Sequence, residues 1–195
     1  MDVTFAQSTF PPLALGFFGL GTGYLIWGPQ ELFGFPPRDE RVDRSLGIWG
    51  IFLPGLCQLL AGLILFVGLG WFQVFSSSPA LYMAALAFSV YGIHWFALGW
   101  NRYRGNDARP NAGMSVAFMV VSAMGALVFF TVGDWPVGLL FLGLFVIYFA
   151  DFFVAVGVSA AERLLGLVHV ATGAWLMYLA FAVAVDFSIG YHWPT

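Results

Sequence analysis

Residues 46–70, LGIWGIFLPGLCQLLAGLILFVGLG, form an uninterrupted run without a charged side chain. A helix that crosses the hydrocarbon core of a bilayer needs about 20 mostly apolar residues, because each backbone amide must find its hydrogen-bond partner within the helix. This run is long enough to cross a membrane as one helix. Its length and composition therefore indicate an integral membrane protein.

The same composition extends over the whole chain of 195 residues, of which 61% are hydrophobic and 9% charged. A soluble domain carries about 25% charged residues, so this chain lacks the side chains that a water-facing surface needs. Its basic residues are all arginine, and a net charge of −3 provides no basic patch for a phosphate backbone. We therefore expect neither a soluble enzyme nor a nucleic-acid-binding protein. The lone cysteine, Cys57, excludes an internal disulfide.

Six apolar runs of this kind follow one another, separated by short segments rich in proline, glycine and charged residues, most clearly at 35–45 and 101–112. We predict an all-α polytopic membrane protein, a single domain over residues 1–195, in which six transmembrane helices form one bundle. The predicted spans are about 11–32, 46–70, 80–100, 113–133, 137–160 and 164–186.

The arginines are confined to alternate connections between the predicted spans. They lie between spans 1 and 2, between spans 3 and 4, and between spans 5 and 6. Short loops rich in Lys or Arg remain on the cytoplasmic side of a membrane. We therefore expect these three loops in the cytoplasm and both termini outside, in a bacterial inner or cell membrane.

Few ionisable side chains lie inside the predicted spans, and such residues are functional candidates because they are costly in lipid. Asp151 lies in span 5, His94 late in span 3 and His169 early in span 6. Three interpretations remain open. The histidines bond a backbone carbonyl or a hydroxyl of a neighbouring helix, or Asp151 and a histidine form part of a proton or anion path. In the third, His94 and His169 bind a haem or a metal between helices.

No pattern in the sequence predicts an enzyme. The chain has no Cys/His cluster, no paired-carboxylate motif and no nucleophile elbow, and the glycines at 19, 21 and 23 lie inside an apolar span without a preceding strand. We expect no cofactor and no metal site. The pair Gly19 and Gly23 serves either close packing within a protomer or an oligomer seam.

Three stretches resemble the acetate uptake transporter family, also called the succinate–acetate permeases. GIFLPGLCQLLAGL at 50–63 is similar to the glycine, glutamine and Ala-Gly pattern of that family in span 2. AFSVYGIHW at 87–95 is similar to its Ala-Phe-x-Ser-Tyr-Gly-x-Phe-Trp pattern in span 3, and FPPLAL at 10–15 resembles the proline-leucine motif that opens span 1. The resemblance extends, with gaps, across all six spans.

The resemblance implies a six-helix protomer in a homohexameric ring, in which each protomer carries its own path for small monocarboxylates such as acetate, together with protons. The path in the family narrows at an apolar and aromatic constriction. By alignment of the motifs, the constriction falls on Phe18, Tyr91 and Ile147 of this chain.

The leading hypothesis is a transmembrane transporter or channel for small monocarboxylates, whose partners are the lipid bilayer and a small organic anion. Gln58 and Asn111 are expected to replace water around the carboxylate on the substrate path. Proton coupling is expected at Asp151, His94 or His169, since histidine titrates near neutral pH.

Departures from the family pattern motivate an alternative. Leu65 stands where the family has an acidic residue in span 2, and His94 stands where it has a phenylalanine. Typical relatives also carry their basic residues in the other set of loops. The alternative is a non-transporting accessory subunit of a larger membrane complex, and a haem-binding electron carrier based on His94 and His169 is a third hypothesis.

Overall fold

The computed structural model describes residues 10–75, 78–190 and 193–194. Within these ranges all regular structure is helical. The α-helices are α1 (Phe10–Phe33), α2 (Glu40–Gly50), α3 (Cys57–Phe66), α4 (Pro79–Arg104), α5 (Asn111–Thr131), α6 (Trp135–Ala155) and α7 (Ala160–Ile189). Two π-helical segments, Ile51–Leu56 and Val67–Trp71, continue α2 into α3 and extend α3 at its end.

The second span is one continuous helix, Glu40–Trp71, although its hydrogen-bond pattern changes along its length. Pro54 lies in the first π-helical segment. Because proline lacks a backbone N–H and its ring clashes with a preceding carbonyl, the α-helical ladder cannot continue there, and the helix widens instead. The kink that proline favours is thus accommodated without ending the span.

The helix ends differ from the predicted limits where capping residues act. The carboxylate of Asp39 accepts the backbone N–H groups of Arg41 and Val42 at 2.8 and 2.9 Å. This cap starts α2 at Glu40, so the charged segment predicted as a connection already forms a helical turn. At the other extreme, α6 ends at Ala155, before the predicted limit at 160, because Gly157 adopts a positive φ of 96° and turns the chain.

The six spans pack against one another in chain order and close into a ring. Helix α1 contacts α3, α3 contacts α4, and the contacts continue from α4 through α5 and α6 to α7, which returns to α1. Five of the described spans are long and apolar enough to cross a membrane. The predicted all-α bundle of six membrane helices is therefore confirmed, and the chain is an integral membrane protein.

Small residues allow the first two spans to approach closely. A Cβ atom at Gly19 would lie 2.4 Å from Cβ of Cys57, and one at Gly23 would lie 2.6 Å from Cγ of Pro54. Backbone approach of this kind replaces the hydrophobic driving force that helices lack in lipid. Of the two interpretations of this glycine pair, the structure favours packing within the protomer.

The side chains divide into an interior set and an outward set. Tyr24, Tyr91 and Leu176 are almost fully buried between the helices, whereas Leu127 and Phe181 expose more than half of their surface, at 69% and 56%. Exposed apolar side chains of this size are typical of helices that face lipid or another membrane protein. The interior of the ring is therefore where the polar candidates meet.

Candidate functional site

Two adjoining cavities lie in the half of the ring that carries the arginines. The vestibule is a wide opening of about 930 Å³ lined by residues that include Arg38 and Arg102. Beneath it lies a chamber of about 70 Å³. The vestibule and the chamber share Trp27, Leu98 and Asn111 in their walls, so they lie directly one behind the other.

A third cavity, which we call the apolar cavity, occupies the other half of the ring. It has a volume of about 250 Å³ and is lined mostly by aliphatic and aromatic side chains. Ser78 and Asp134, in the connections before α4 and α6, mark its outer end. Consecutive spans run antiparallel, so these connections lie on the face opposite the vestibule. Burial raises the pKa of the Asp134 carboxyl, which accepts the backbone N–H of Val137 at 3.1 Å.

A stacked pair of tyrosines separates the apolar cavity from the chamber. Tyr91 lines the apolar cavity and Tyr148 lines the chamber. Their rings are nearly parallel, with centroids 5.8 Å apart and an interplanar angle of 4°. Phe118 packs against both, at 5.2 Å from the ring of Tyr91 and 5.1 Å from that of Tyr148. These three rings form the tyrosine partition.

The hydroxyl of Tyr91 is anchored to the neighbouring helix. It lies 2.8 Å from Oγ of Ser122, which in turn lies 2.7 Å from the backbone carbonyl of Phe118. A serine hydroxyl carries one proton. If Ser122 donates it to the carbonyl, then Tyr91 donates to Ser122, and both hydroxyls are satisfied. Tyr91 is therefore held by packing and by a hydrogen bond at once.

The structure does not bring together the three residues predicted to form the constriction. Tyr91 and Ile147 are buried, at 2% exposure each; Tyr91 belongs to the tyrosine partition and lines the apolar cavity, whereas Ile147 lines the chamber. Phe18 is 50% exposed on the outer face of α1. Its neighbour Phe17 points inward instead, lines the apolar cavity and packs edge-on against Phe88 at 5.7 Å. Adjacent residues on a helix point about 100° apart, so only one of the two faces the path.

The residues predicted to replace water around a carboxylate lie in different cavities. Gln58 lies in the wall of the apolar cavity and is fully buried. Neither its Nε2 nor its Oε1 atom has a hydrogen-bond partner among the described residues. Asn111, the first residue of α5, lies where the vestibule meets the chamber.

The predicted ionisable candidates share the chamber. Asp151, His94 and His169 all line it. Oδ2 of Asp151 lies 2.6 Å from Oγ of Ser115, which also lies 2.8 Å from the backbone carbonyl of Asn111. Since Ser115 has a single proton for these two neighbours, its hydrogen bonding depends on the protonation state of Asp151.

The two histidines have different partners. Nδ1 of His169 lies 2.5 Å from Oε2 of Glu31, and both side chains are 7% exposed. The ring of His169 also stacks on Tyr24, with centroids 4.7 Å apart. Nδ1 of His94 lies 3.4 Å from the hydroxyl of Tyr148, and its Nε2 atom has no partner in the part of the chain that the structure describes. The distance from His94 to Tyr148 exceeds that of a good hydrogen bond.

The chamber is too small for the haem interpretation of His94 and His169. Sites for organic ligands of cofactor size have volumes of roughly 300–1,000 Å³, and the chamber has about 70 Å³. Within the described part of the chain, no group of three His, Cys, Asp or Glu side chains could hold a metal ion.

Sequence reasoning missed several residues of this interior, among them Glu31, Tyr148 and Phe17. Glu31 lies inside the predicted first span, so the rule that intramembrane ionisable groups are candidates already pointed to it. Its partner His169 lies 138 residues away, and no sequence pattern indicates that contact. Tyr148 and Phe17 carried no separate signal, because aromatic residues are common in every span.

The vestibule carries positive charge that is partly neutralised. Arg102 donates to Oδ1 of Asp43 at 3.0 and 3.1 Å and also to Oε1 of Gln30. Its guanidinium lies 4.5 Å from the centre of the Trp27 ring, in a cation–π contact. Arg38 pairs with Glu162 at the same face. Four arginines and two acids line the vestibule, and Glu162 pairs with one of these arginines, so a small excess of positive charge remains at this mouth.

The fold matches that of a solved membrane channel. The structure described as that of the bacterial acetate channel SatP aligns with a TM-score of 0.75 at 18% sequence identity, and the alignment covers 96% of each chain. No protein-family model matches the sequence, and no curated protein sequence matches it. The resemblance noted in the sequence is thus confirmed at the level of the fold.

Proposed function

We propose that the chain is a membrane channel or transporter for small monocarboxylates such as acetate, and that each protomer contains its own path. The observation that carries this proposal is the succession of apolar cavity, tyrosine partition, chamber and vestibule inside one ring of helices. A succession of this kind connects the two faces of the membrane. The fold shared with the acetate channel SatP supports the same assignment.

Passage requires the tyrosine partition to open, and its two tyrosines are held differently. Tyr91 is anchored through Ser122 at 2.8 Å, whereas the hydroxyl of Tyr148 makes a longer contact of 3.4 Å with Nδ1 of His94 and also lies near Tyr24. In the proposed mechanism Tyr91 is the fixed wall and Tyr148 is the side chain that moves. A small ligand needs a small displacement, so the partition selects by size.

Proton coupling is proposed at Asp151, next to the path. When Asp151 is protonated, it donates to Ser115, and Ser115 donates to the carbonyl of Asn111. When Asp151 is ionised, Ser115 turns its proton toward the carboxylate. In both states Asp151 and Ser115 remain hydrogen-bonded to each other, at the observed 2.6 Å, whereas Ser115 donates to the carbonyl of Asn111, 2.8 Å away, only when Asp151 is protonated. Gain and loss of a proton therefore need only a hydroxyl rotation, and His94 and His169 face the same chamber as further candidates.

Flux measurements in proteoliposomes test the proposal. Uptake of labelled acetate, propionate and butyrate is measured at two pH values, against vesicles without protein. We expect acetate flux above that background, and we expect Tyr91→Ala to admit butyrate more readily relative to acetate. Acetate flux equal to that of protein-free vesicles would overturn the assignment, and unchanged selectivity in Tyr91→Ala would remove the tyrosine partition from it.

A homohexamer is proposed from the resemblance alone, and the apolar outer faces of the helices are compatible with it. Native mass determination in a mild detergent tests this state. Six copies of the chain support the ring, whereas stoichiometric association with unrelated chains would favour the accessory-subunit alternative. The fold shared with a channel does not favour that alternative.

A further inference from the structure

The apolar cavity contains no counter-charge for an anion. Among the described residues that line it, none is basic. The sequence has no lysine, and its arginines lie in or next to the connections of the opposite face. An ionised carboxylate surrounded by aliphatic and aromatic side chains is strongly disfavoured unless a cation or several donors compensate it. A charged acid is therefore a poor ligand for this cavity.

Gln58 offers a different kind of recognition in the same cavity. Its side chain is fully buried, and both its donor Nε2 and its acceptor Oε1 lack a partner among the described residues. Buried polar groups are almost always hydrogen-bonded, because leaving one unpaired costs stability. A primary amide presents one donor and one acceptor side by side. Its natural complement is a group that presents one acceptor and one donor with the same spacing.

We propose that the apolar cavity binds a monocarboxylic acid in its neutral, protonated form, and that Gln58 recognises it through two reciprocal hydrogen bonds. Nε2 of Gln58 donates to the carbonyl oxygen of the acid, and the O–H of the acid donates to Oε1 of Gln58. This inference rests on the proposed function and names the protonation state of its substrate. An ionised carboxylate has acceptors only. One of its oxygens would therefore face Oε1 of Gln58 with no proton between the two oxygens, and this contact is repulsive.

The remainder of the cavity suits an alkyl chain. Leu20, Phe88 and Leu144 are among the apolar side chains of its wall, and the volume of about 250 Å³ exceeds the space that acetic acid needs. Gln58 is covered by its neighbours, with 0% exposure, so the ligand reaches the amide when one of these side chains rotates. Burial of the alkyl chain against this wall then adds apolar contact.

Two titratable protein groups also line the cavity and must be separated from the ligand. Tyr91 is engaged with Ser122, and Asp134 caps α6 at the outer end through the N–H of Val137. Burial raises the pKa of the Asp134 carboxyl, so this group can contribute its own pH dependence. Asp134→Asn removes that titration, and asparagine serves as a helix cap as well as aspartate does.

Calorimetric binding to the purified full chain tests the inference. The ligands are butyrate, butanamide and propane-1-sulfonate, which share an alkyl chain and differ in the polar group. We expect the apparent affinity for butyrate to fall about tenfold per pH unit above the pKa of the acid. Butanamide should bind independently of pH, and the permanently ionised sulfonate should not bind. Equal binding of sulfonate and butyrate, or absent binding of butanamide, would overturn the inference.

Two variants test whether this pH-dependent binding of butyrate depends on the side chain of Gln58. Gln58→Leu should abolish binding of both butyric acid and butanamide while raising the thermal unfolding temperature, because an unpaired buried amide is replaced by an apolar group of similar size. Binding that persists in Gln58→Leu would overturn the role of Gln58. The pH dependence of butyrate binding should survive in Asp134→Asn, and its loss there would assign the titration to the protein.

The binding experiments and the flux experiments test the neutral-acid inference and the transport function independently. If butanamide binds but acetate flux equals that of protein-free vesicles, the site stands and the transport function is overturned. If acetate moves through the protein but propane-1-sulfonate binds as well as butyrate, the transport function stands and the neutral-acid inference is overturned.

Discussion

Phe17 and Phe18 are neighbours in sequence with opposite surroundings, and they form a matched pair for mutation. Phe17 packs on Phe88 in the apolar cavity, and Phe18 is half exposed on the outer face. We expect Phe17→Ala to lower stability by about 3–5 kcal/mol, the usual cost of truncating a buried phenylalanine. It should also raise the uptake of butyrate relative to acetate.

Phe18→Ala should change neither thermal unfolding nor the butyrate-to-acetate uptake ratio appreciably. Larger effects on stability and on the uptake ratio in Phe18→Ala than in Phe17→Ala would show that Phe18 belongs to the constriction, as the motif alignment predicted.

The buried pair of Glu31 and His169 should matter more for stability than an exposed ion pair. Replacement of Glu31 by alanine leaves His169 Nδ1 without its partner in a site where both side chains are 7% exposed. Such an orphaned group costs about 1–3 kcal/mol. The control is Glu162→Ala, which removes the more exposed pair with Arg38 and should cost less than about 1 kcal/mol.

The stabilities of Glu31→Ala and Glu162→Ala are compared by thermal unfolding in detergent. A larger loss for Glu162→Ala than for Glu31→Ala would contradict the ranking by burial.

Asp151 can act as a proton carrier or only as a hydrogen-bond partner of Ser115, and two substitutions separate these roles. Asparagine can keep a hydrogen bond to Ser115 but cannot release a proton, whereas glutamate keeps an ionisable carboxyl. We expect Asp151→Asn to reduce acetate flux at least several-fold and Asp151→Glu to retain part of it. Full flux in Asp151→Asn would show that the contact, observed at 2.6 Å, is structural only.

For a single residue, the sequence predicts the depth of the side chain in the membrane but not the direction in which it points around the helix axis. The positions of His94 late in span 3 and of His169 early in span 6 predict a similar depth for the two, and both line the chamber. The rotation of α1 about its axis depends on packing against α3 and α7, which no single-sequence pattern encodes. For that reason Phe18 was selected over Phe17, and the contact of Glu31 with His169 was missed.

At the scale of helices, glycine positions decide how closely the spans approach. A Cβ atom at Gly92 of α4 would lie 2.5 Å from the backbone N of Leu59 in α3. Because backbone atoms cannot rotate away, Gly92→Ala should push the two helices apart and lower the thermal unfolding temperature.

Gly113 is the matched control within a helix, since a Cβ atom there meets nothing within 4 Å. Gly113→Ala should leave stability unchanged or raise it by about 0.5–1 kcal/mol, because alanine favours the helix. Destabilisation of the same size in both variants would argue against the close approach of α3 and α4.

Span positions were predictable because a membrane helix has a strong hydropathy signal, and the helix ends were less so because local caps set them. Asp39 and Ser78 both act as caps and extend or fix their helices. Because proline lacks a backbone N–H, an interruption of the α-helical hydrogen bonds near Pro54 is expected from the sequence. The length of the π-helical segment depends on how α3 packs and is not predictable in this way.

Orientation is a property of the whole molecule and is open to a labelling test. The arginine distribution predicts that the vestibule faces the cytoplasm. Starting from Cys57→Ser, single cysteines are introduced by Asn106→Cys, on the vestibule face, and Val132→Cys, on the opposite face. We expect a membrane-impermeant maleimide to label Val132→Cys in intact cells and Asn106→Cys only after permeabilisation. The opposite pattern would invert the protein in the membrane.

Ring closure between α1 and α7 has a consequence for biosynthesis. Helix α1 carries Glu31, and its partner His169 belongs to α7, 138 residues later in the chain. Until α7 is synthesised, the acidic side chain of Glu31 has no His169 to pair with. We therefore expect interrupted translation products to be unstable in the bilayer, since only the arrival of α7 gives that carboxylate its partner.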